Sequence, residues 1–507
     1  MPLIRDINMA KSFDLVIRNG RVVDPETGHD AIADVAVSGD QIVAVGPSLG
    51  AGKNEIDATG LVVSPGFIDL HAHGQSIPAD RMQVFDGVTT ALELEVGSLP
   101  VARWYQQQQA GGRVLNYGTA AAWIFARKAV MIGMELDGGL APIEMMGAGS
   151  DDMRWSVDAA TAPQTDEIVR LTRQALEEGA LGIGIPHGYA AGAGVKEMTR
   201  ICELAAEFDR PTYTHIPYMS NIDPRSSVEA YVQLIGLAGA TGAHMHICHL
   251  NSTSLRDVED AARLIAKAQA QGLLITTEAY PYGTGSTVMS ARFFIDSDFA
   301  ERTGTGYGAI QVVSTGKRFG DRDELVAARA QTPEALVLWH YLDTDNPHDQ
   351  RLLDVSVMYP GGAIASDAVP WSNPDGTLYT GEEWPLPADK TSHPRSAGTY
   401  TRFLAQWVRE REAVPLVEAI AKCALIPAQI VERCSDVFRR KGRLQPGCDA
   451  DIVVFDLETV QDRSTFEDMH LAADGMVHVL VNGEAVVANG QLVRDARPGR
   501  PIRSTPR

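Results

Sequence analysis

The 507-residue sequence predicts an α/β protein: a (β/α)8 TIM barrel with a small β domain assembled from both termini. Three observations predict it. Short β-like runs broken by turn signals fill both ends of the chain. Between them, eight β-like runs alternate with stretches of helical pattern, as in a parallel sheet built from βα units. Histidines and carboxylates recur at the ends of five of those eight runs, and a barrel gathers its strand ends at one mouth.

In chain order, the first β-like runs are Leu15–Asp24 and Asp34–Gly46, with Asn19-Gly20 and Gly39-Asp40 as hairpin signals. The far end reads the same way over Ala450–Asp456 and Val479–Val487, so strands from both termini close one small β domain. The barrel runs begin near Phe67, Thr89, Val114, Leu181, Thr212, His244, Leu273 and Ala363. Over Val195–Phe208 the apolar Met198, Ile201, Cys202, Leu204 and Ala205 fall at helical spacing, which suits a face laid on the barrel. The connection between the seventh and eighth runs, about 284–360, is rich in Gly, Thr and charge; connections this long on a barrel serve as lids or binding loops. The expected partition is 1–64 and 436–507 in the β domain and 65–435 in the barrel.

Composition excludes some partners. A net charge of -21 opposes binding to phosphate backbones or anionic lipid, so neither nucleic acid nor a membrane surface is expected. Met1 to Asn8 lack a basic region followed by an apolar core, and no apolar run approaches the roughly 18 residues that span a bilayer. Cys202, Cys248, Cys423, Cys434 and Cys448 are an odd set without CxxC spacing, which fits reduced, buried thiols. The expectation is a cytoplasmic protein acting on a small molecule, with a homo-oligomer open to it.

The chemistry starts at the run Val62–Leu70, which ends in His71 and His73. Side chains two apart on a strand share a side, so both imidazoles reach one ion. Strand two carries Glu93 and Glu95, strand five ends in Thr214-His215, strand six in Cys248-His249, and strand eight in Ser366-Asp367. Singly, each histidine has a bland rival as a hydrogen-bonded core residue. Four of them with an aspartate at the same strand ends read as a metal site.

The run Pro65-Gly66-Phe67-Ile68-Asp69-Leu70-His71-Ala72-His73, the single His215, the His246-Ile247-Cys248-His249-Leu250 run and Ser366-Asp367 resemble the amidohydrolase superfamily. Tyr280-Pro281-Tyr282 with Gly285-Ser286-Thr287, His393-Pro394-Arg395 and Gly447-Cys448-Asp449-Ala450-Asp451 resemble its N-acyl-D-amino-acid deacylases, the D-aminoacylases. The resemblance spans almost the whole chain. It implies a distorted barrel with a β-sandwich built from both termini, His71 and His73 on the more buried metal, His215 and His249 on the other, and Asp367 as proton shuttle. It also implies zinc, one or two ions per chain, with another divalent metal as the alternative. A divalent ion lowers the pKa of water towards ~7 and polarises the acyl carbonyl, while Asp367 takes that water's proton and returns it to the leaving amine.

Two departures from the family stand out. Its cysteine ligand at the end of strand two is absent; the chain reads Ala91-Leu92-Glu93-Leu94-Glu95-Val96-Gly97, and two glutamates in an apolar run are costly to bury unpaired. Glu95, nearer the strand end, is expected to replace the thiolate and bridge two metals, with Glu93 the alternate. The family lysine after the last histidine is also missing, replaced by Leu250-Asn251. Arg395 with Tyr282 and Ser286 is expected to hold the substrate carboxylate, and Tyr189 matches a family tyrosine lining the pocket. On an ideal strand His249 faces opposite to His244 and His246, which leaves His246 as fallback ligand if the strand bulges.

The expected activity is metal-dependent hydrolysis of the acyl amide of an N-acyl-D-amino acid. A hydantoinase- or dihydroorotase-like cyclic-amide hydrolase is the nearest rival. Those enzymes bridge their metals with a carboxylated lysine on strand four, and the run Glu177–Ile185 contains no lysine. The other rival is a non-catalytic protein with the same fold.

Overall fold

A computed structural model describes residues 13–136, 142–149 and 151–505; the N-terminal segment weighed above as a leader lies outside them. Eight parallel strands form the barrel: β1 (Phe67–Asp69), β2 (Val88–Ser98), β3 (Asn116–Ala122), β4 (Ile183–Pro186), β5 (Thr212–His215), β6 (Met245–Ile247), β7 (Ile275–Ala279) and β8 (Ala363–Ile364). Each begins within two residues of its expected start. They follow one another in chain order around the sheet, and a bridge from Ala72 to Ala368 brings the segment after β1 beside the segment after β8, so the barrel is nearly closed.

One buried cluster draws Ile68, Leu92, Ala120, Tyr213 and Ala363 from strands around the ring, with Leu181 just before β4, and also takes in Ala428, Val431 and Phe438. The helix Val195–Glu207 buries Met198, Ile201, Cys202, Leu204 and Ala205, as its spacing predicts. All five cysteines are buried and free. No described helix is long and apolar enough to cross a membrane.

The strand Val62–Pro65 joins the two ends of the chain. It pairs with Phe13–Asp24 on one side and with Ile452–Phe455 on the other, so N- and C-terminal strands share one nine-stranded sheet. Gly39-Asp40 turns the hairpin as expected, between strands His29–Ser38 and Gln41–Gly46. Asn19-Gly20 does not. Asn19 adopts a left-handed φ of 59°, but the pair is absorbed as a bulge inside Phe13–Asp24 because residues on both sides keep pairing with the same neighbour.

Between β7 and β8 the chain builds a three-stranded antiparallel sheet from Thr284–Val288, Ile310–Val312 and Leu336–His340. Ser286, Val288, Phe293 and Trp339 of this insertion line a cavity whose floor is the histidine cluster.

Candidate metal centre and active site

Asp69 draws the ends of β1 and β8 together. Its carboxylate accepts from the backbone N–H of His71 at 3.1 Å and from that of Ser366 at 3.0 Å, which sets Asp367 beside His71. Burial outweighs these hydrogen bonds and pushes the Asp69 carboxyl up to about 6. Asp367 and His249 both adopt left-handed backbone, with φ of 50° and 32°. Such strain in non-glycine residues survives where the surrounding structure holds it, and concentrates at functional sites.

The left-handed turn at His249 also resolves the parity question. β6 ends at Ile247, so strand alternation no longer applies two residues later, and His249 reaches the centre without a bulge. His246 instead turns its Nε2 to Glu278, 3.1 Å away.

At the centre, His71 Nε2 and His73 Nε2 face each other at 3.1 Å. Glu95 lies between the two histidine pairs. Its Oε2 is 3.2 Å from His71 Nε2. Its Oε1 is 3.0 Å from His215 Nδ1 and 3.2 Å from His249 Nε2. Asp367 Oδ1 stands 3.4 Å from the Nε2 atoms of both His71 and His73. Ligand-type atoms of His71, His73 and Glu95 lie within 4.8 Å of one another, as do those of Glu95, His215 and His249, and those of His71, His249 and Asp367. Glu95 belongs to two of these sets, the position a bridging carboxylate takes.

Glu93 does something else. It accepts from His73 Nδ1 at 2.9 Å, while Glu278 accepts from His71 Nδ1 at 2.6 Å. With Nδ1–H so engaged, each ring turns an Nε2 lone pair inward, the carboxylate–histidine arrangement that orients metal ligands. Glu278 was not singled out in the sequence, although a glutamate in the buried run Ile275–Ala279 carries the same signal as Glu93 and Glu95. Glu278→Gln is expected to weaken metal affinity about 10- to 100-fold while the barrel stays folded; metal titration followed by circular dichroism checks both.

These donors fit a cation. Several buried carboxylates converge with inward imidazole lone pairs, an arrangement costly to bury without positive charge among them. Burial opposes a charge on His71, but Asp367, Glu278 and Glu95 outweigh it and hold its pKa well above the ordinary imidazole value. Burial likewise opposes a charge on His73 and is outweighed by Glu93 together with the hydrogen bond that the ring donates to Asp367. Glu95 is held well below the carboxylate range, against burial, by the charge on His71 and bonds from His215 and His249. In the metal-free protein, protons on His71 and His73 do the neutralising, and a metal must displace them. Acidification favours the protons, so metal affinity is expected to fall from about pH 8 to about pH 6; calorimetric titration at both values tests the sign.

Asp367 is gripped by Arg395, whose Nη2 is 2.8 Å from Oδ2 and whose Nε donates to the Asp367 carbonyl at 2.6 Å. Burial would raise the Asp367 pKa, but Arg395 and then His71 lower it. Arg395 is fully buried, its guanidinium 4.6 Å over the Tyr280 ring. Its Nη1, the Tyr280 hydroxyl and the Ser286 hydroxyl are buried without hydrogen-bond partners. Gly285 leaves room between them: a Cβ there would sit 3.3 Å from the Tyr280 hydroxyl and 4.0 Å from Arg395 Nη1. Three orphaned donors around a glycine make a cradle for an anion.

Of the four residues expected to bind substrate, Ser286 and Tyr189 line the cavity. The Tyr189 hydroxyl bonds Thr287 at 2.8 Å. Arg395 lies just behind, and Tyr282 turns away: its hydroxyl donates to the Gly398 carbonyl and Arg402 stacks on its ring. Two residues earlier, across Pro281, Tyr280 takes the cavity side. Asn251, at the missing lysine, donates to the Tyr280 carbonyl at 2.9 Å and the Tyr282 carbonyl at 3.2 Å, so it shapes this loop.

A profile described as the amidohydrolase family matches residues 54–259 and 249–487. The chain belongs to the amidohydrolase family. This amidohydrolase, a hydrolase of carbon–nitrogen bonds other than peptide bonds, is 29% identical to an N-acyl-D-glutamate deacylase of Alcaligenes xylosoxydans xylosoxydans, over 98% of this chain and 97% of the relative. It is 27% identical to a D-aminoacylase of the same organism, over 94% and 95%. Among solved structures, the N-acyl-D-glutamate deacylase of Bordetella bronchiseptica, complexed with zinc and a phosphonate inhibitor, shares its fold with a TM-score of 0.74 at 24% identity, covering 97% of this chain and 100% of that one. A dihydropyrimidinase from Brevibacillus agri is more distant, with a TM-score of 0.57 at 20% identity over 97% and 98%. The superfamily and barrel expected from the sequence are the ones found.

Proposed function

We propose that the protein is a metal-dependent deacylase of N-acyl-D-amino acids, with zinc as its metal. The observation that carries this is Glu95 shared between two histidine pairs, with Asp367 above it at the foot of a cavity that has one built anion cradle. His71, His73 and Glu95 would hold one ion, and His215, His249 and Glu95 a second; imidazole and carboxylate donors suit zinc and its first-row neighbours. When bound, such an ion supplies Lewis-acid chemistry, making water a nucleophile near neutral pH and polarising the acyl carbonyl.

The chain's own groups do the rest. Arg395 Nη1, the Tyr280 hydroxyl and the Ser286 hydroxyl receive the substrate carboxylate by charge-assisted hydrogen bonds, which orients the amide over the histidine cluster. Asp367, kept ionised by Arg395, accepts a proton from the attacking water and delivers it to the amide nitrogen as the C–N bond breaks. A carboxylate and a free amine leave. The D configuration is supported by the curated relatives named above. Five buried free cysteines support a reducing, cytoplasmic setting.

Hydrolysis of N-acetyl amino acids, each as D and L enantiomer, by metal-loaded and chelator-stripped protein tests this reading. D-Amino acid should be released only by the loaded form, and readded zinc should restore it. If metal binds and linear N-acyl amino acids of neither hand turn over, the deacylase assignment falls and cyclic amides become the substrates to try; strand β4 has no lysine to bridge metals in the manner of a hydantoinase.

A further inference from the structure

Two features of the cavity remain outside the mechanism: its apolar wall and a buried lysine behind it. Ile143, Met146, Met219, Phe293, Trp339 and Val369 line the cavity away from the histidines, and no lysine or arginine lines it among the described residues. Arg395, just behind the cavity, is committed to Asp367 and, through Nη1, to the anion cradle. A substrate with one carboxylate can be fully paired here. A second carboxylate would lose its water against carbon with no partner to replace it.

Ile143 and Met146 belong to a short helix, Pro142–Gly147, too short to hold itself in place by its own hydrogen bonds. Its C-terminal carbonyls are taken by Lys128, fully buried on the helix Trp123–Ile132 that leaves β3. Lys128 Nζ donates to the carbonyls of Met145 at 2.8 Å, Met146 at 2.7 Å and Ala148 at 2.7 Å, and sits 4.3 Å over the Trp155 ring. Three carbonyls at the end of the helix converge on this one amine, and burial pulls its pKa down to about 7. Lys128 thus ties a cavity-lining segment to a helix of the barrel.

Resting on the deacylase reading, we propose that Lys128 is a positioning residue for substrate selection: it pins the Ile143–Met146 wall, and that wall accepts an apolar, uncharged side chain and rejects a second carboxylate. Wild-type protein should prefer N-acetyl-D-leucine to N-acetyl-D-glutamate by at least about a hundredfold in kcat/KM. Lys128→Met should raise KM for N-acetyl-D-leucine by about tenfold with kcat nearly kept, and leave N-acetyl-D-alanine, too small to reach the wall, almost unchanged. Lys128→Arg, which keeps donors and charge, should recover part of the loss.

Should Lys128→Met not fold, Ile143→Arg tests the wall from its half-exposed edge and should move the leucine-to-glutamate ratio towards glutamate by about tenfold. Equal wild-type rates on leucine and glutamate substrates overturn the inference while the deacylase reading stands. So does a folded Lys128→Met that loses leucine and alanine substrates in parallel, and so does an unmoved ratio in Ile143→Arg. Turnover of no N-acyl-D-amino acid at all overturns both.

Discussion

Replacing Asp367 by Asn is expected to lower kcat by about a thousandfold, within the range attributed to a positioned general acid–base group. The carboxylate is buried, ionised by Arg395 and 3.4 Å from two inward histidine nitrogens, so the amide of asparagine keeps the shape and removes the proton acceptor. Because Asn retains one oxygen at the same place and His71, His73, His215, His249 and Glu95 are untouched, bound metal should remain. Steady-state kinetics with metal analysis on the same preparation decide it. Loss of rate with metal retained assigns the proton transfer to Asp367; loss of both assigns it chiefly to metal binding, a role its grouping with His71 and His249 makes concrete.

The second large effect falls on Glu95. Removing one partner from a buried, paired charge cluster costs roughly 3–5 kcal/mol, which at about 1.4 kcal/mol per decade corresponds to roughly two to three and a half decades of metal affinity. Glu95→Ala therefore should strip metal from both histidine pairs at once, since each set shares this carboxylate, and abolish turnover. Glu93→Gln should do far less: Glu93 touches only His73 Nδ1 within the cluster, and a neutral acceptor still orients that ring. The contrast between the two glutamates, read by metal content per chain, tests which of them bridges. Equal metal loss from both would remove the bridging role of Glu95.

How much of this was legible follows from particular residues. The eight strand starts emerged from alternation and turn signals alone because period and breakers are local properties of the chain. The convergence of His71, His73, His215 and His249 was legible because histidine recurring at strand ends has no obvious packing purpose. Less legible was anything that depends on where a strand stops. His249 was in doubt because alternation was extended past Ile247, whereas the left-handed turn there resets it. Tyr282 was expected to hold the substrate carboxylate, yet it is Tyr280 that faces the cavity. Arg395 was expected, with Tyr282 and Ser286, to hold the substrate carboxylate, and the folded chain also commits it to Asp367.

The sequence by itself determined the barrel, the terminal β domain and the donor types, because hydrophobic period and side-chain chemistry are carried residue by residue. Only the tertiary structure decided the division of labour among the carboxylates. Glu278 stands 207 positions from His71 in the chain yet accepts from the same imidazole that Glu95 approaches from the other side. No spacing rule spans that distance. It is closure of the barrel that brings strand ends from the whole chain to within hydrogen-bond reach, and that proximity selects which glutamate supports a ring and which lies between the histidine pairs.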